Sequence, residues 1–195
     1  MSDFFQSAGD HLWLGAMEPP EGELGKLLAL FKAEVIVGHP TYRNERTIGP
    51  LLNSAVRGIR DHFPGQKAVI IVSDGTWTSS SGDRSTIQAA ESGAIQALNS
   101  LSDNDRQRIG IILSPYEGYG GDRTPGKGSA LKLIYEEMAH CPSARLLILT
   151  DGDLRNDLSQ WFRVYSDLDK EHRKTEGQRE FFITAKYARH FVDAS

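Results

Sequence analysis

Short apolar runs recur along the chain, each closed by polar or turn-forming residues. They cover 34–38, 68–72, 109–113, 145–150 and 181–185, and Val35-Ile36-Val37 is β-branched throughout. Runs of this length between turn signals read as strands buried on both faces, the habit of a parallel sheet. Between them the apolar spacing changes to the helical period. Leu27, Leu28, Leu30 and Phe31 form one face over 24–32, and Ile48, Leu51, Leu52, Ala55, Val56 and Ile59 form a longer stripe. That second helix starts from a cap at Asn44 or Thr47 and reaches Phe63, where Pro64-Gly65 stops it. Further helices are predicted over 87–101, 130–140 and 158–168.

The remaining segments are polar. A loop is expected over 78–85, an acidic connector over 103–105 and a charged, exposed connector over 169–179. The longest irregular stretch, 114–129, holds glycines at 118, 120, 121, 126 and 128, and a loop of that length in a compact domain is usually functional. Residues 1–23 carry mixed signals, including Pro19-Pro20, and read as a tail or a packed arm. Strands alternating with helices predict an α/β fold: a mostly parallel, Rossmann-like sheet with right-handed crossovers and helices on both faces. The expected division is an N-terminal arm and helix over 1–33 and one domain over 34–195.

Composition narrows the class of protein. A chain of 195 residues can bury one substantial core, and 39% apolar with 25% charged residues is globular. A net charge of −4 with scattered lysines and arginines leaves no electrostatic footprint for nucleic acid. Cys141 is the single cysteine, which excludes an internal disulfide framework and a cysteine zinc cluster. No apolar run approaches the length of a membrane span and no signal-peptide pattern opens the chain, so a cytoplasmic protein is expected.

The candidate chemistry lies at strand ends. Leu146-Leu147-Ile148-Leu149 runs into Thr150-Asp151-Gly152-Asp153. Ligands of open α/β sheets sit beyond the carboxyl ends of the strands. In extended backbone Asp151 and Asp153 would point to the same side, and paired carboxylates need a proton or a cation between them. Oxygen ligands suit Mg2+ or Mn2+, and magnesium is typically shared with substrate phosphates. Two more polar clusters follow strands, at 39–45 and 73–76. The segment Thr124-Pro125-Gly126-Lys127-Gly128 precedes the helix expected at Ala130. Glycines let backbone N–H groups approach an anion, a helix N-terminus favours negative charge, and Lys127 adds a point charge. Together these elements predict a nucleoside-diphosphate site with a bridging metal.

The same residues resemble a known family. Val35-Ile-Val-Gly-His-Pro-Thr-Tyr-Arg-Asn-Glu45, Val72-Ser-Asp-Gly-Thr76, Gly126-Lys-Gly-Ser-Ala-Leu131 and Asp151-Gly-Asp153 are similar to the nucleotide-sugar-binding half of GT-A glycosyltransferases. The likeness is nearest to family-2-like retaining enzymes that make glucosyl-3-phosphoglycerate and mannosylglycerate, and it covers about 34–195. Those enzymes continue into an acceptor-binding half, most of which this sequence lacks. The resemblance implies a hexosyltransferase using a GDP- or UDP-linked sugar, Mn2+ or Mg2+, and a small glycerate-type acceptor. It places Pro40, Tyr42 and Glu45 around the nucleoside and Asp74 on the base. Lys127 with Arg123 falls on the diphosphate, Asp151 and Asp153 on the ribose and metal, and Gly126 and Gly152 elsewhere in the nucleotide-sugar site. Within Tyr187-Ala-Arg-His190, it assigns Arg189 and His190 to the acceptor. The usual Pro-x-Tyr-Asn-Glu reads Pro40-Thr-Tyr-Arg-Asn-Glu45 here, so Asn44 competes with Glu45 for the acidic slot.

Other readings compete with this one. Asp74-Gly-Thr-Trp-Thr78 with Thr150-Asp-Gly152 resembles the metal site of von Willebrand A-type protein-binding modules. An inactive nucleotide-sugar-binding fragment is a further possibility. Gly121 to Lys127 fits a phosphate-binding P-loop, but Gly128 stands where a Ser or Thr should ligand magnesium. Asp157, Asp167 and Asp169, the downstream carboxylates that could serve as an acceptor base, are expected to be surface charges. A sheet edge at 181–185 is a candidate surface for pairing into a homo-oligomer.

Overall fold

The computed structural model describes residues 5–8, 11–16, 24–76, 83–115, 127–155 and 157–174. The strand expected over 181–185 lies outside them. The described chain runs β1 (Phe5–Ala8), β2 (His11–Leu14), α1 (Leu24–Phe31), β3 (Val35–Thr41), α2 (Ile48–His62) and β4 (Ala68–Asp74). It continues with α3 (Ser85–Asn99), α4 (Asp103–Arg106), β5 (Ile109–Pro115), α5 (Lys127–Ala139), β6 (Leu146–Leu149) and α6 (Ser159–Lys174). The strands form one sheet in the order β1-β2-β5-β4-β3-β6, in which β3, β4, β5 and β6 are parallel. The fold is thus α/β with a mostly parallel sheet, consistent with a Rossmann-like architecture.

Side-chain alternation along the strands separates two cores. Val35 and Val37 of β3, with Ile70 and Val72 of β4, face α2, α3 and α6, where Leu52, Val56 and Phe162 are fully or almost fully buried. Ile36, Val69, Ile71 and Ile112 face α1 and α5, against Leu28, Phe31 and Ile134. Burial on both faces explains why these strands read as unbroken apolar runs.

The central strands extend beyond their apolar runs. β3 ends at Thr41 rather than 38, β4 at Asp74 rather than 72, and β5 at Pro115 rather than 113. Parallel pairing continues through Thr41↔Asp74 and Asp74↔Pro115, so backbone hydrogen bonds carry the ladder into polar sequence. The acidic connector is in fact a short helix, α4, whose Ser102 cap accepts a hydrogen bond from the Asp105 N–H.

Two segments differ from their sequence-based reading for tertiary reasons. Part of the N-terminal arm is a hairpin, and β2 pairs antiparallel with β5 (Trp13↔Ile112) at the edge of the sheet. Trp13 is completely buried, edge-on to Phe31 at 5.4 Å between ring centroids. Its indole lies over Gly110, where an added Cβ would come within 2.0 Å of the ring. The connector expected from 169 onward is instead the last part of α6, which continues to Lys174. Asp169 is buried there and receives Arg145 at 2.5 Å and Arg173 from the next turn. Burial pushes its carboxyl up, but the hydrogen bonds from Arg173 and Arg145 outweigh this and hold it below the usual carboxylate range. One apolar pattern ends near Leu168, and an ion cluster carries the helix onward.

Candidate functional site

The connections from β3 to β4 and from β4 to β5 step outward through α2 and α3, which pack on one face. The next connection reverses. From β5 the chain crosses the other face through α5 and returns beyond β3 to form β6. Crossovers that step in opposite directions leave a crevice at the carboxyl ends of β3 and β6, the usual ligand position in open α/β sheets. A cleft of about 430 Å³ opens there. Its wall takes Pro40, Thr41, Tyr42 and Asn44 from the end of β3, Gly75 from the end of β4, and Asp151, Gly152 and Asp153 from the turn after β6. Lys127 and Ala130, from the first turn of α5, complete it.

A buried hydroxyl network holds the loops behind this wall. Asp74 has no solvent exposure, and its Oδ1 accepts hydrogen bonds from Thr41 Oγ1 (3.0 Å) and Thr76 Oγ1 (3.1 Å). Thr76 Oγ1 in turn accepts from the Arg43 N–H (2.7 Å), and Thr86 Oγ1 accepts from the Asn44 N–H (3.0 Å). The loops after β3 and β4 are thereby tied together through one carboxylate. Arg43 takes a left-handed backbone (φ 54°), a conformation unusual outside glycine, with its N–H fixed by Thr76. Tyr42 stands at the rim, 50% exposed, with the Arg43 guanidinium 5.2 Å from its ring centroid.

The Asp-x-Asp turn is locked from the opposite side. Thr47 makes no side-chain cap for α2; its hydroxyl donates instead to the Gly152 carbonyl at 2.7 Å. A Cβ at Gly152 would lie 2.6 Å from Thr41 Cγ2 and 3.0 Å from the Pro40 carbonyl oxygen, so the turn can seat against β3 only without a side chain. β6 ends at Leu149 and the backbone turns at 152–153, so the extended geometry expected for Asp151 and Asp153 does not apply. Both nevertheless line the cleft.

α5 begins at Lys127, three residues before the helix start read from the sequence at 130, and Lys127 and Gly128 therefore belong to its first turn. The first turn of α5 thus brings the Lys127 ammonium to the cleft, and a helix N-terminus is in general a favourable place for negative charge. The ammonium forms an ion pair with Asp151 Oδ1. Two hard carboxylates fit Mg2+ or Mn2+ only if a substrate diphosphate and water supply the rest of the shell. Among the described residues no group of three or more His, Cys, Asp or Glu is placed to hold a metal ion.

Below the cleft, His39 is completely buried, and its Nδ1 lies 2.5 Å from Thr150 Oγ1. Its Nε2 has no hydrogen-bond partner. Burial lowers its pKa to about 4, and a hydrogen bond from the imidazole to the Thr150 backbone opposes this only weakly. The folded protein therefore keeps His39 neutral where the unfolded chain, with a pKa near 6.5, already takes up a proton. Stability is complete above pH 6.5 and falls as the pH drops toward 4, by about 3 kcal/mol in all. Urea midpoints measured from pH 7.5 to 4.5 should show this slope in the wild type and lose most of it in His39→Gln. Salt-bridged carboxylates such as Asp169 contribute their own loss only below pH 4, outside this window.

Of the residues singled out from sequence, Pro40, Tyr42, Lys127, Asp151, Gly152 and Asp153 come together at the cleft. Asp74 lies beneath it, bonded to Thr41 and Thr76, and Gly75 stands at the wall in its place. Glu45 is exposed and lies off the wall, where Asn44 stands instead. Arg123, Gly126, Arg189 and His190 fall outside the described residues. The threonines Thr41, Thr47, Thr76 and Thr86 were not singled out as organisers of the site; their only signal is that hydroxyls cluster after the strands. Asp157 is taken by Arg57 at 2.6 Å and Asp169 by Arg145 and Arg173, while Asp167 is mostly exposed; none of the three lines the cleft. Among the described residues no helix is long and apolar enough to cross a membrane. Comparison with family models, curated proteins and solved structures finds no match to this chain.

Proposed function

We propose that the cleft binds the nucleoside diphosphate of an activated sugar and that the chain is a glycosyltransferase of the GT-A type, acting on a small hydroxylated acceptor. The observation that carries this reading is the convergence of an ammonium, a helix N-terminus and an Asp-x-Asp turn at one topological switch point. A diphosphate leaving group needs positive charge that is already in place as the glycosyl bond breaks. Lys127 and the first-turn N–H groups of α5 supply it from one side. Mg2+ or Mn2+, when held by Asp151 and Asp153, adds neutralisation from the other. Tyr42 offers a flat, half-exposed face on which a base can stack. A metal-dependent protein-binding module centred on Asp74-Gly75-Thr76 has less support. Asp74 is wholly buried, and two hydroxyls already donate to its Oδ1.

The test is thermal unfolding with Mn2+ and GDP, UDP or ATP. A ligand at 100 times its dissociation constant adds about 2.7 kcal/mol, or roughly 5–10 °C in a domain of this size. Stabilisation by GDP or UDP with Mn2+, lost in Asp151→Ala and Asp153→Ala, supports the proposal. A response to Mn2+ that neither GDP nor UDP increases, or a nucleotide response that survives both substitutions, removes this reading of the cleft.

A further inference from the structure

We infer that Lys127 is a movable counter-ion: it neutralises Asp151 in the empty cleft and is handed to the diphosphate when a divalent cation takes Asp151. The inference rests on the reading proposed above. Its starting point is the ion pair between Lys127 and Asp151, which puts an ammonium on the carboxylate that the metal requires. The two partners differ in freedom. Asp151 belongs to a turn that cannot shift readily, because the Thr47 hydroxyl holds the Gly152 carbonyl and Gly152 is pressed against Thr41 and Pro40. Lys127 is a flexible side chain on the first turn of α5, with 61% of its side chain exposed, against 39% for Asp151. Ion pairs this exposed are weak, so a divalent cation can displace the ammonium at little cost. The displaced ammonium remains beside the α5 N-terminus, where a diphosphate would lie.

Cation and nucleotide then assist each other beyond their direct contact. A cation arriving alone must strip Lys127 from Asp151 and leave it without a partner. One arriving with a nucleoside diphosphate gives the ammonium a phosphate in exchange. The same pair explains how the cleft tolerates the Asp151 and Asp153 carboxylates before any ligand binds.

The measurement is the affinity for Mn2+, read as free ion by electron paramagnetic resonance, with and without GDP or UDP, in the wild type and in Lys127→Met. Complexes of Mn2+ with nucleotide in solution are included in the fit. In Lys127→Met, Mn2+ alone should bind roughly two- to fivefold tighter, the range set by a weak exposed ion pair. The factor by which nucleotide raises Mn2+ affinity should fall by a similar amount. A lysine acting only as a fixed charge would also tighten Mn2+ binding on removal but would leave that factor unchanged, because a static charge acts on each ligand independently. An unchanged factor, or Mn2+ binding that does not tighten, overturns the counter-ion exchange. If nucleotide strengthens Mn2+ binding equally in both proteins, only the exchange fails and the donor-site reading stands. If neither protein binds Mn2+ even with nucleotide, both fail.

Discussion

Gly110→Val should lower the melting temperature by roughly 10 °C. The valine Cβ would lie 2.0 Å from the Trp13 ring, in space the indole already holds. Backbone at Gly110 is fixed on both sides, by β4 through Val69 and by the neighbouring β5–β2 register, so the indole must leave. Losing the packing of a buried tryptophan costs about 3–5 kcal/mol, and a domain of this size loses about 2–4 °C per kcal/mol. The Phe31 edge contact and the seat of β2 are lost with it. Trp13→Ala should be destabilising to a similar degree. In that background Gly110→Ala should be nearly harmless, although it is costly in the wild type. Denaturant midpoints of the four proteins form a double-mutant cycle. Additive losses would show that the ring and the glycine do not share one space.

Asp74→Ala is expected to cost about 3–5 kcal/mol and to remove the nucleotide response together with the stability. Hydrogen bonds to a buried carboxylate are worth about 1.5–3 kcal/mol each, and Asp74 accepts them from both Thr41 and Thr76. The substitution removes the carboxylate that joins the two hydroxyls and loosens the turn carrying Tyr42 and Arg43, the N–H of Arg43 being bound by Thr76. Asp74→Asn keeps an acceptor oxygen of similar shape and should retain most of the stability. Urea unfolding and the GDP or UDP thermal shift, measured on both variants, check the two effects. If Asp74→Ala folded normally and only its nucleotide affinity fell, Asp74 would be contacting ligand directly, as the family resemblance implies.

The helical faces and the central strands were legible because run length and apolar period are local properties of the chain. Val35-Ile36-Val37 and Ala68-Val69-Ile70-Ile71-Val72 read as buried strands on sight, and both are. The β1–β2 hairpin was not legible. Its strands are four residues each with no clean alternation, and β2 is held by a glycine in β5 far along the sequence. The length of α6 was hidden for a related reason. Its last turns are polar and are kept in place by Arg145 from the other end of β6 rather than by an apolar stripe.

The candidate site divides in the same way. Lys127, Asp151 and Asp153 could be singled out because a glycine-lysine turn and an Asp-x-Asp after a strand are short-range patterns with known chemistry. Asp74 and Glu45 have the same kind of local signal, yet one is buried under hydroxyls and the other lies off the wall. Polarity at a strand end does not say which way a side chain turns. Thr47 illustrates this, as a residue expected to cap its own helix that donates instead to Gly152, 105 positions away.

By itself, then, the sequence determined the alternation of strands and helices, the parallel character of the sheet and the placement of polar residues at its carboxyl edge. Periodicity and burial act over a few residues, so they can be read without knowing the partners. The tertiary structure alone decided that β6 returns beside β3, which opens the cleft at that point and brings Lys127 onto Asp151. It also decided that Asp74 faces inward and that Trp13 closes the far edge. Those outcomes depend on packing between segments distant along the chain, and no local pattern encodes which distant neighbour will be there.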